Sequence, residues 1–174
     1  MKMISEVIRE TIDGVKNIVI TGEEGVGKLR KTIEALQDRD NVYYIGNPFD
    51  YKGNWRPKGY DKYIFDVMSL KRDLFIISNE IEILSIDPGQ LSEKSPVLVI
   101  DEIYGRNEAQ HEKIAALLAV RNVKVIIVTG CLKNIGGLAK YLDLSLMLFE
   151  DDSYLTVERE FLNKICSILK PEPH

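Results

Sequence analysis

Ile18-Val19-Ile20-Thr21-Gly22-Glu23-Glu24-Gly25-Val26-Gly27-Lys28-Leu29 joins an apolar, largely β-branched run to a glycine-rich turn and then to a helical pattern. Strand, loop and helix in that order aim successive backbone N–H groups and the first helical turn at one point, which is how a chain binds phosphate. Gly22, Gly25 and Gly27 keep Cβ atoms out of the way. The backbone of Glu23, Glu24, Gly25, Val26, Gly27 and Lys28 forms the cradle between Gly22 and Leu29, and the Lys28 ammonium supplies a mobile positive charge for the outer phosphates. One residue breaks the pattern. Position 29, where a Ser or Thr hydroxyl would reach Mg²⁺ beside the phosphates, is Leu. Leu29, Ile33 and Leu36 recur at helical spacing and read as one apolar stripe. Thr32 lies about one helical turn, roughly 5 Å, too far along to supply the missing oxygen. The stretch supports nucleotide binding more strongly than hydrolysis.

The rest of the chain is consistent with one core built around this loop. At 174 residues, with 45% hydrophobic and 29% charged content, the composition suits a single globular domain over 1–174. No apolar run approaches a bilayer span, and Lys2, Glu6, Arg9 and Glu10 interrupt the N-terminal region, unlike a secretory signal. No membrane association is expected, and a cytoplasmic location is the default. Cys131 and Cys166 have neither metal-ligand spacing nor the density of a disulfide scaffold, so they read as reduced thiols. A formal net charge of −4 argues against a surface that is basic throughout.

Ile4, Val7, Ile8, Ile12 and Val15 predict an amphipathic helix over 1–15, weakened by Gly14. After the loop, 27–37 should be helical and Val42-Tyr43-Tyr44-Ile45 a buried strand, followed by an irregular, exposed insertion over 50–62. Tyr63-Ile64-Phe65 reads as a further strand. Leu70, Leu74, Ile77, Ile81 and Leu84 favour a long helix, although Leu74 to Ile77 alone has strand character. A polar linker follows Asp87-Pro88-Gly89. Val97-Leu98-Val99-Ile100 predicts a strand, Asn107 the cap of a helix running to about Val120, and Val123 to Val128 the next strand. A short helix near 135–142, a strand over 144–149 and a strand and helix over 150–174 complete the series. Strands alternating with helices imply a three-layer α/β/α sandwich with a mainly parallel sheet, whose ligands collect at the carboxyl ends of the strands.

Four aliphatic residues followed by Asp101-Glu102 place two carboxylates at such an end. One can hold Mg²⁺, commonly through its waters, while the neighbour orients an attacking water. With both stretches in hand, the chain resembles a P-loop NTPase of the additional-strand, catalytic-glutamate branch, the AAA and RecA-like ATPase core, over about residues 15 to 150. Gly22 to Lys28 would be its Walker A loop, with Leu29 atypical, and Val97 to Glu102 its Walker B strand. The resemblance implies ATP or another NTP with Mg²⁺ as cofactors, Asp101 as metal ligand, Glu102 and Lys28 as catalytic residues, and core strand order 5-1-4-3-2. It also implies a polar sensor after the fourth core strand, matched by Thr129. The same stretches in so short a chain are similar to those of small thermophilic nucleoside triphosphatases.

The departures bear on activity. Leu29 removes the Mg²⁺ hydroxyl, and the chain after Glu150 is too short for the helical lid of complete AAA+ proteins. An arginine reaching across a subunit contact would compensate charge at the γ-phosphate, and Arg106 and Arg121 are the candidates by position, against their being ordinary surface arginines. Tyr51, Lys52, Trp55, Arg56, Lys58, Tyr60, Lys62 and Tyr63 interleave bases with aromatics. Such a segment can contact nucleic acid, through Lys52, Trp55, Arg56 and Lys58, or simply pin a surface loop to the core. His111 reads as a polar helix position, and His174 carries no catalytic signal. The expected function is NTP binding, ATP first, with Mg²⁺-dependent hydrolysis weakened or dependent on a homo-oligomeric or other protein partner. The alternative is a non-catalytic module that binds a protein or nucleic acid. A small nucleoside kinase would need a second, arginine-lined pocket and a lid, for which there is no signature.

Overall fold

Parallel strands buried on both faces hold the centre of the molecule, and the apolar runs of the sequence supply them. The computed structural model describes residues 2–60, 75–77 and 80–169. Among these, β1 (Asn17–Gly22), β2 (Val42–Ile45), β3 (Phe75–Ile77), β4 (Val97–Asp101), β5 (Lys124–Val128), β6 (Leu144–Leu148) and β7 (Tyr154–Glu158) form one sheet in the order β3-β2-β4-β5-β1-β6-β7. Every neighbouring pair is parallel except β6 and β7. The series β6-β1-β5-β4-β2 has the expected core order 5-1-4-3-2 and is extended by β3 at one edge and by the antiparallel β7 at the other.

Side chains alternate across the pleat and sort into two apolar layers. Ile18, Ile20, Val97, Val99, Ile126 and Val128 pack with α1 (Ile4–Gly14) and α2 (Lys28–Ala35). On the opposite face Val19, Leu98, Ile100, Val125 and Ile127 meet α3 (Glu80–Ser85), α5 (Glu108–Ala119), α6 (Arg159–Ile168) and two 3₁₀ turns, Leu132–Asn134 and Gly136–Tyr141. With both faces covered, each fully buried aliphatic side chain contributes about 1.5–3 kcal/mol. A one-residue slip of any central strand would exchange the two sets, so burial fixes the register.

Local chemistry sets the helix ends. The Asn107 side chain accepts from the Gln110 amide at 2.9 Å and the Gln110 side chain returns the bond to Asn107 at 3.0 Å, a reciprocal cap that starts α5. Asp87 accepts from the Gly89 and Gln90 amides and opens α4 (Pro88–Ser92), a short helix within what the sequence presents as a polar linker.

Two expectations change. The helix expected from Leu70 to Leu84 is, where described, strand β3 followed by α3; β-branched Ile76 and Ile77 extend the sheet beside β2. The expected helix near 135–142 is a 3₁₀ turn, entered through Gly136 at φ +52°, a conformation glycine adopts without strain. The strand at Tyr63-Ile64-Phe65 lies outside the described residues. Among the described residues no helix is long and apolar enough to cross a membrane.

Because β4, β5 and β1 are adjacent and parallel, with Asp101 opposite Val128 and Val128 opposite Ile20, their carboxyl ends open at one place. The glycine loop, the acidic pair and Thr129 all emerge there.

Candidate functional site

Gly22 leaves β1 at φ +152°, and a Cβ on it would lie 2.7 Å from the Leu148 carbonyl oxygen and 2.9 Å from a Val26 methyl. Only glycine lets the chain turn here against β6. Gly25 has φ +89°, and Gly27, at φ +79° and ψ 30°, caps the N-terminus of α2. The result is a glycine loop opening directly into a helix, so the orphan N–H groups and the positive end of the helix dipole meet at the loop. Lys28 folds back over it and donates to the carbonyl oxygens of Gly22 at 2.8 Å and Glu23 at 3.0 Å. Burial pulls its pKa below the ordinary lysine value, against the opposing pull of Glu102 and Asp101.

Leu29 is 9% exposed and sits in one apolar cluster with Ile33 and Leu36, as the helical stripe predicts. Thr32 is fully buried and its hydroxyl donates to the Lys28 carbonyl at 2.7 Å, so it offers nothing to a ligand at the loop.

At the end of β4 the two carboxylates are already engaged by protein. Asp101 is 2% exposed; its Oδ2 accepts from the Tyr44 hydroxyl at 2.5 Å and from Arg56 Nη1 at 2.5 Å, and its Oδ1 accepts from Arg56 Nη2 at 3.1 Å. Arg56 therefore grips Asp101 in a two-pronged ion pair. Burial works against the Arg56 cation, but the charge of Asp101 and its hydrogen bonds outweigh it and hold the guanidinium protonated more firmly than in water.

Glu102 adopts φ +59°, uncommon for a residue with a side chain. Its carboxylate accepts from Thr129 Oγ1 at 2.5 Å, from the amides of Ile103 at 3.0 Å and Tyr104 at 3.2 Å, and from the Gly130 amide at 3.2 Å. Burial pushes its pKa up, partly offset by these bonds. Thr129, fully buried, thus orients Glu102.

Arg56 reaches the site on the segment after β2, which is a folded hairpin-like excursion rather than an irregular insertion. Asp50 accepts from the amides of Lys52 at 2.8 Å and Asn54 at 2.9 Å, Phe49 and Trp55 pair across it, and the Arg56 amide donates to the Pro48 carbonyl at 2.8 Å. The tip lies over the glycine loop. Lys52 pairs with Glu24 at 3.1 Å, and the Tyr51 ring packs so closely on Gly130 that any Cβ there would run into it. Between hairpin and loop is a cleft of about 450 Å³ lined by Gly27, Lys28, Tyr51, Arg56, Asp101 and Glu102. A second, larger cavity of about 860 Å³ lies on the other side of the loop, against Thr21, Val26, Cys131, Met147 and Phe149.

The structure brings Lys28, Asp101, Glu102 and Thr129 together with the glycine loop. The two arginines named as candidates for a contact across a subunit boundary lie elsewhere in this chain. Arg106 is 4% exposed and donates to the carbonyls of Glu102 at 2.8 Å, Gly46 at 3.0 Å and Asp101 at 3.0 Å; it braces the ends of β2 and β4 from within, and burial lowers its pKa to about 10. Arg121 is exposed just before β5, at the opposite end of the sheet. The nucleic-acid reading of the hairpin loses Arg56, which is turned inward onto Asp101 and lies 4.6 Å from the Tyr60 ring centroid, although Trp55 remains 75% exposed. Lys62 and Tyr63 lie outside the described residues.

Directly coordinated Mg²⁺ does not fit these side chains as arranged. The residue at 29 is a core leucine, and both oxygens of Asp101 accept hydrogen bonds from Arg56. Asp101, expected to hold the metal, pairs with Arg56 in this arrangement. Arg56 is the residue that sequence reasoning missed in this role; nothing in its spacing marks it as the partner of Asp101.

No protein-family model matches the chain, and no curated protein matches it in sequence. Its fold is similar to that of a prototypical ATPase from the type III secretion system of pathogenic bacteria, with a TM-score of 0.53 at 10% identity, covering 83% of this chain and 58% of that one. The chain thus spans little more than half of that ATPase. Also similar are the flagellar accessory protein FlaH from Methanocaldococcus jannaschii (TM-score 0.45, 17% identity, 86% of this chain and 82% of that one) and the ATP synthase subunit NeqB from Nanoarchaeum equitans (0.49, 9%, 88% and 54%). The chain has a P-loop NTPase-like α/β fold.

Proposed function

We propose that this protein binds a nucleoside triphosphate, ATP first, on the loop Gly22 to Lys28, and that any hydrolysis it carries out is weak or partner-dependent. The observation that carries this reading is the loop itself: a left-handed Gly27 opening α2, with the Lys28 ammonium folded over the loop and bound only to the Gly22 and Glu23 carbonyls among the hydrogen bonds described. A phosphate offers that ammonium a far better partner than two neutral carbonyls. The apolar walls of the cavity beyond the loop give a base a place to stack. Fold likeness to an ATPase makes ATP the first ligand to try.

Hydrolysis has weaker support. Three of the four hydrogen bonds to the Glu102 carboxylate fall on Oε1, from Thr129 and two backbone amides, which leaves the group less free to orient a water. That same observation favours the second reading, a non-catalytic module in which nucleotide is a structural ligand and a protein partner is bound elsewhere.

Two measurements test this. Lys28→Ala should weaken ATP binding by about tenfold or more, as loss of a charge-assisted contact implies; unchanged affinity would sink the phosphate-loop reading. Phosphate release above background in wild type, abolished in Glu102→Gln with binding retained, would reject the non-catalytic module.

A further inference from the structure

The place where a metal ion would be expected is filled by a side chain. In a phosphate site of this layout, positive charge beside the strand-end carboxylate neutralises the ligand's phosphates. Here the group beside Asp101 is the Arg56 guanidinium, 2.5 Å and 3.1 Å from its two oxygens, with 13% of the Arg56 side chain exposed. Arg56 and Lys28 line the same cleft, Lys28 from the loop and Arg56 from the facing hairpin. Two observations independent of that contact agree with it. Leu29 withdraws the hydroxyl a metal would need, and the hairpin that carries Arg56 contacts the loop through the Lys52 pair with Glu24 and the end of β5 through Tyr51 on Gly130.

We infer that Arg56 is the resident cation of this site and that the ligand it takes is a nucleotide phosphate without its Mg²⁺. The inference rests on the phosphate-loop reading above. A guanidinium presents five N–H donors in a fixed fork, and the contacts to Asp101 and Asn47 use three. Pairing with Asp101 therefore does not exhaust its donors, and the fork suits phosphate oxygens as well as a carboxylate. Asp101 becomes a positioning residue: it holds Arg56 at the cleft instead of holding a metal. Because an Asp101–Arg56 pair is neutral where a carboxylate with a divalent ion carries net positive charge, the site gives a γ-phosphate less stabilisation than a metal site would. This connects the missing hydroxyl at position 29 to the weak hydrolysis proposed above.

The test measures ADP and ATP affinity in millimolar Mg²⁺ and in EDTA for wild type, Arg56→Gln and Arg56→Lys, together with Mn²⁺ binding by electron paramagnetic resonance without nucleotide. Expected is a wild-type affinity that changes by less than about twofold between the two buffers, since the cation is already in place. Arg56→Gln should lose about tenfold or more in EDTA, and Arg56→Lys, which keeps the charge but not the fork, should fall between. Wild type should show no Mn²⁺ binding that depends on Asp101. A wild type that binds nucleotide only with Mg²⁺, or Mn²⁺ binding to wild type that Asp101→Asn abolishes, would overturn the assignment. If no nucleotide binds in either buffer, the phosphate-loop reading fails and the Mn²⁺ arm alone judges Arg56. Should Arg56→Gln not fold, the wild-type comparison and Arg56→Lys decide.

Discussion

The ends of β1 and β4 lie on either side of β5 in one sheet, and each offers one half of a nucleotide site, but they are built in different ways. The loop after β1 is local: Gly22, Gly27 and Lys28 complete it within seven residues, and Lys28 bonds to carbonyls five and six positions away. The end of β4 is assembled from a distance. Asp101 takes its partners from Tyr44, 57 positions earlier, and Arg56, 45 positions earlier, while Glu102 takes Thr129, 27 positions later. A local motif fixes its own geometry. A strand-end carboxylate only offers charge, and whichever cation the fold delivers decides what it does.

The largest expected effect falls on the assembled half. Asp101→Ala leaves the Arg56 guanidinium without its carboxylate and removes the acceptor of the Tyr44 hydroxyl, so unfolding in urea should show a loss of about 3–5 kcal/mol. A loss below 1 kcal/mol would mean that the pair is a solvated surface contact. On the local half, Gly22→Ala places a Cβ against the Leu148 carbonyl at a φ that side chains rarely adopt, with an expected cost of about 2–4 kcal/mol in the same assay.

Leu29→Thr sharpens the contrast. It should cost about 1–3 kcal/mol, because a hydroxyl replaces apolar volume in the cluster with Ile33 and Leu36. It should bring no gain in Mg²⁺-dependent phosphate release while Arg56 holds Asp101. A gain from Leu29→Thr alone would show that a metal displaces Arg56, whereas a gain only in Leu29→Thr with Arg56→Gln would support the division drawn here.

The smallest effect is a pH slope. Burial raises the Glu102 pKa above its ordinary, unfolded value, so between those two values the folded protein binds more protons than the unfolded chain. Stability should therefore fall as pH rises through that interval and level off above the folded value. Urea midpoints measured against pH should show this decline in wild type and not in Glu102→Gln. Parallel profiles would mean that Glu102 is better solvated than its contacts with Thr129 and Gly130 imply.

Much of the fold is legible in the chain because burial leaves a periodic mark. The central runs Ile18 to Ile20, Val97 to Ile100 and Val125 to Val128 are apolar on both faces, as strands covered on two sides must be, and Asn107 announces its helix through a side chain that caps it. β3 was obscured because Leu74 and Ile77 also fit a helical spacing with Ile81 and Leu84, and three residues are too few for either period to win. At the site, the loop was legible for the reason given above, and Leu29 as a core residue followed from its stripe. What Asp101 pairs with was not legible, since a single arginine in a hairpin carries no sign of where its guanidinium will arrive. Arg106 shows the converse: its position beside the acids suggested a mobile arginine, yet the turn after Glu102 buries it on backbone carbonyls.

The most direct test of the central claim, that the loop Gly22 to Lys28 holds phosphate beside Arg56 without a metal, is phosphorus NMR of ADP in EDTA with wild type and with Lys28→Ala. Expected is a β-phosphorus resonance that shifts on wild type and returns to its free position with Lys28→Ala. A resonance that stays at the free position with wild type, or shifts equally with both proteins, would contradict it.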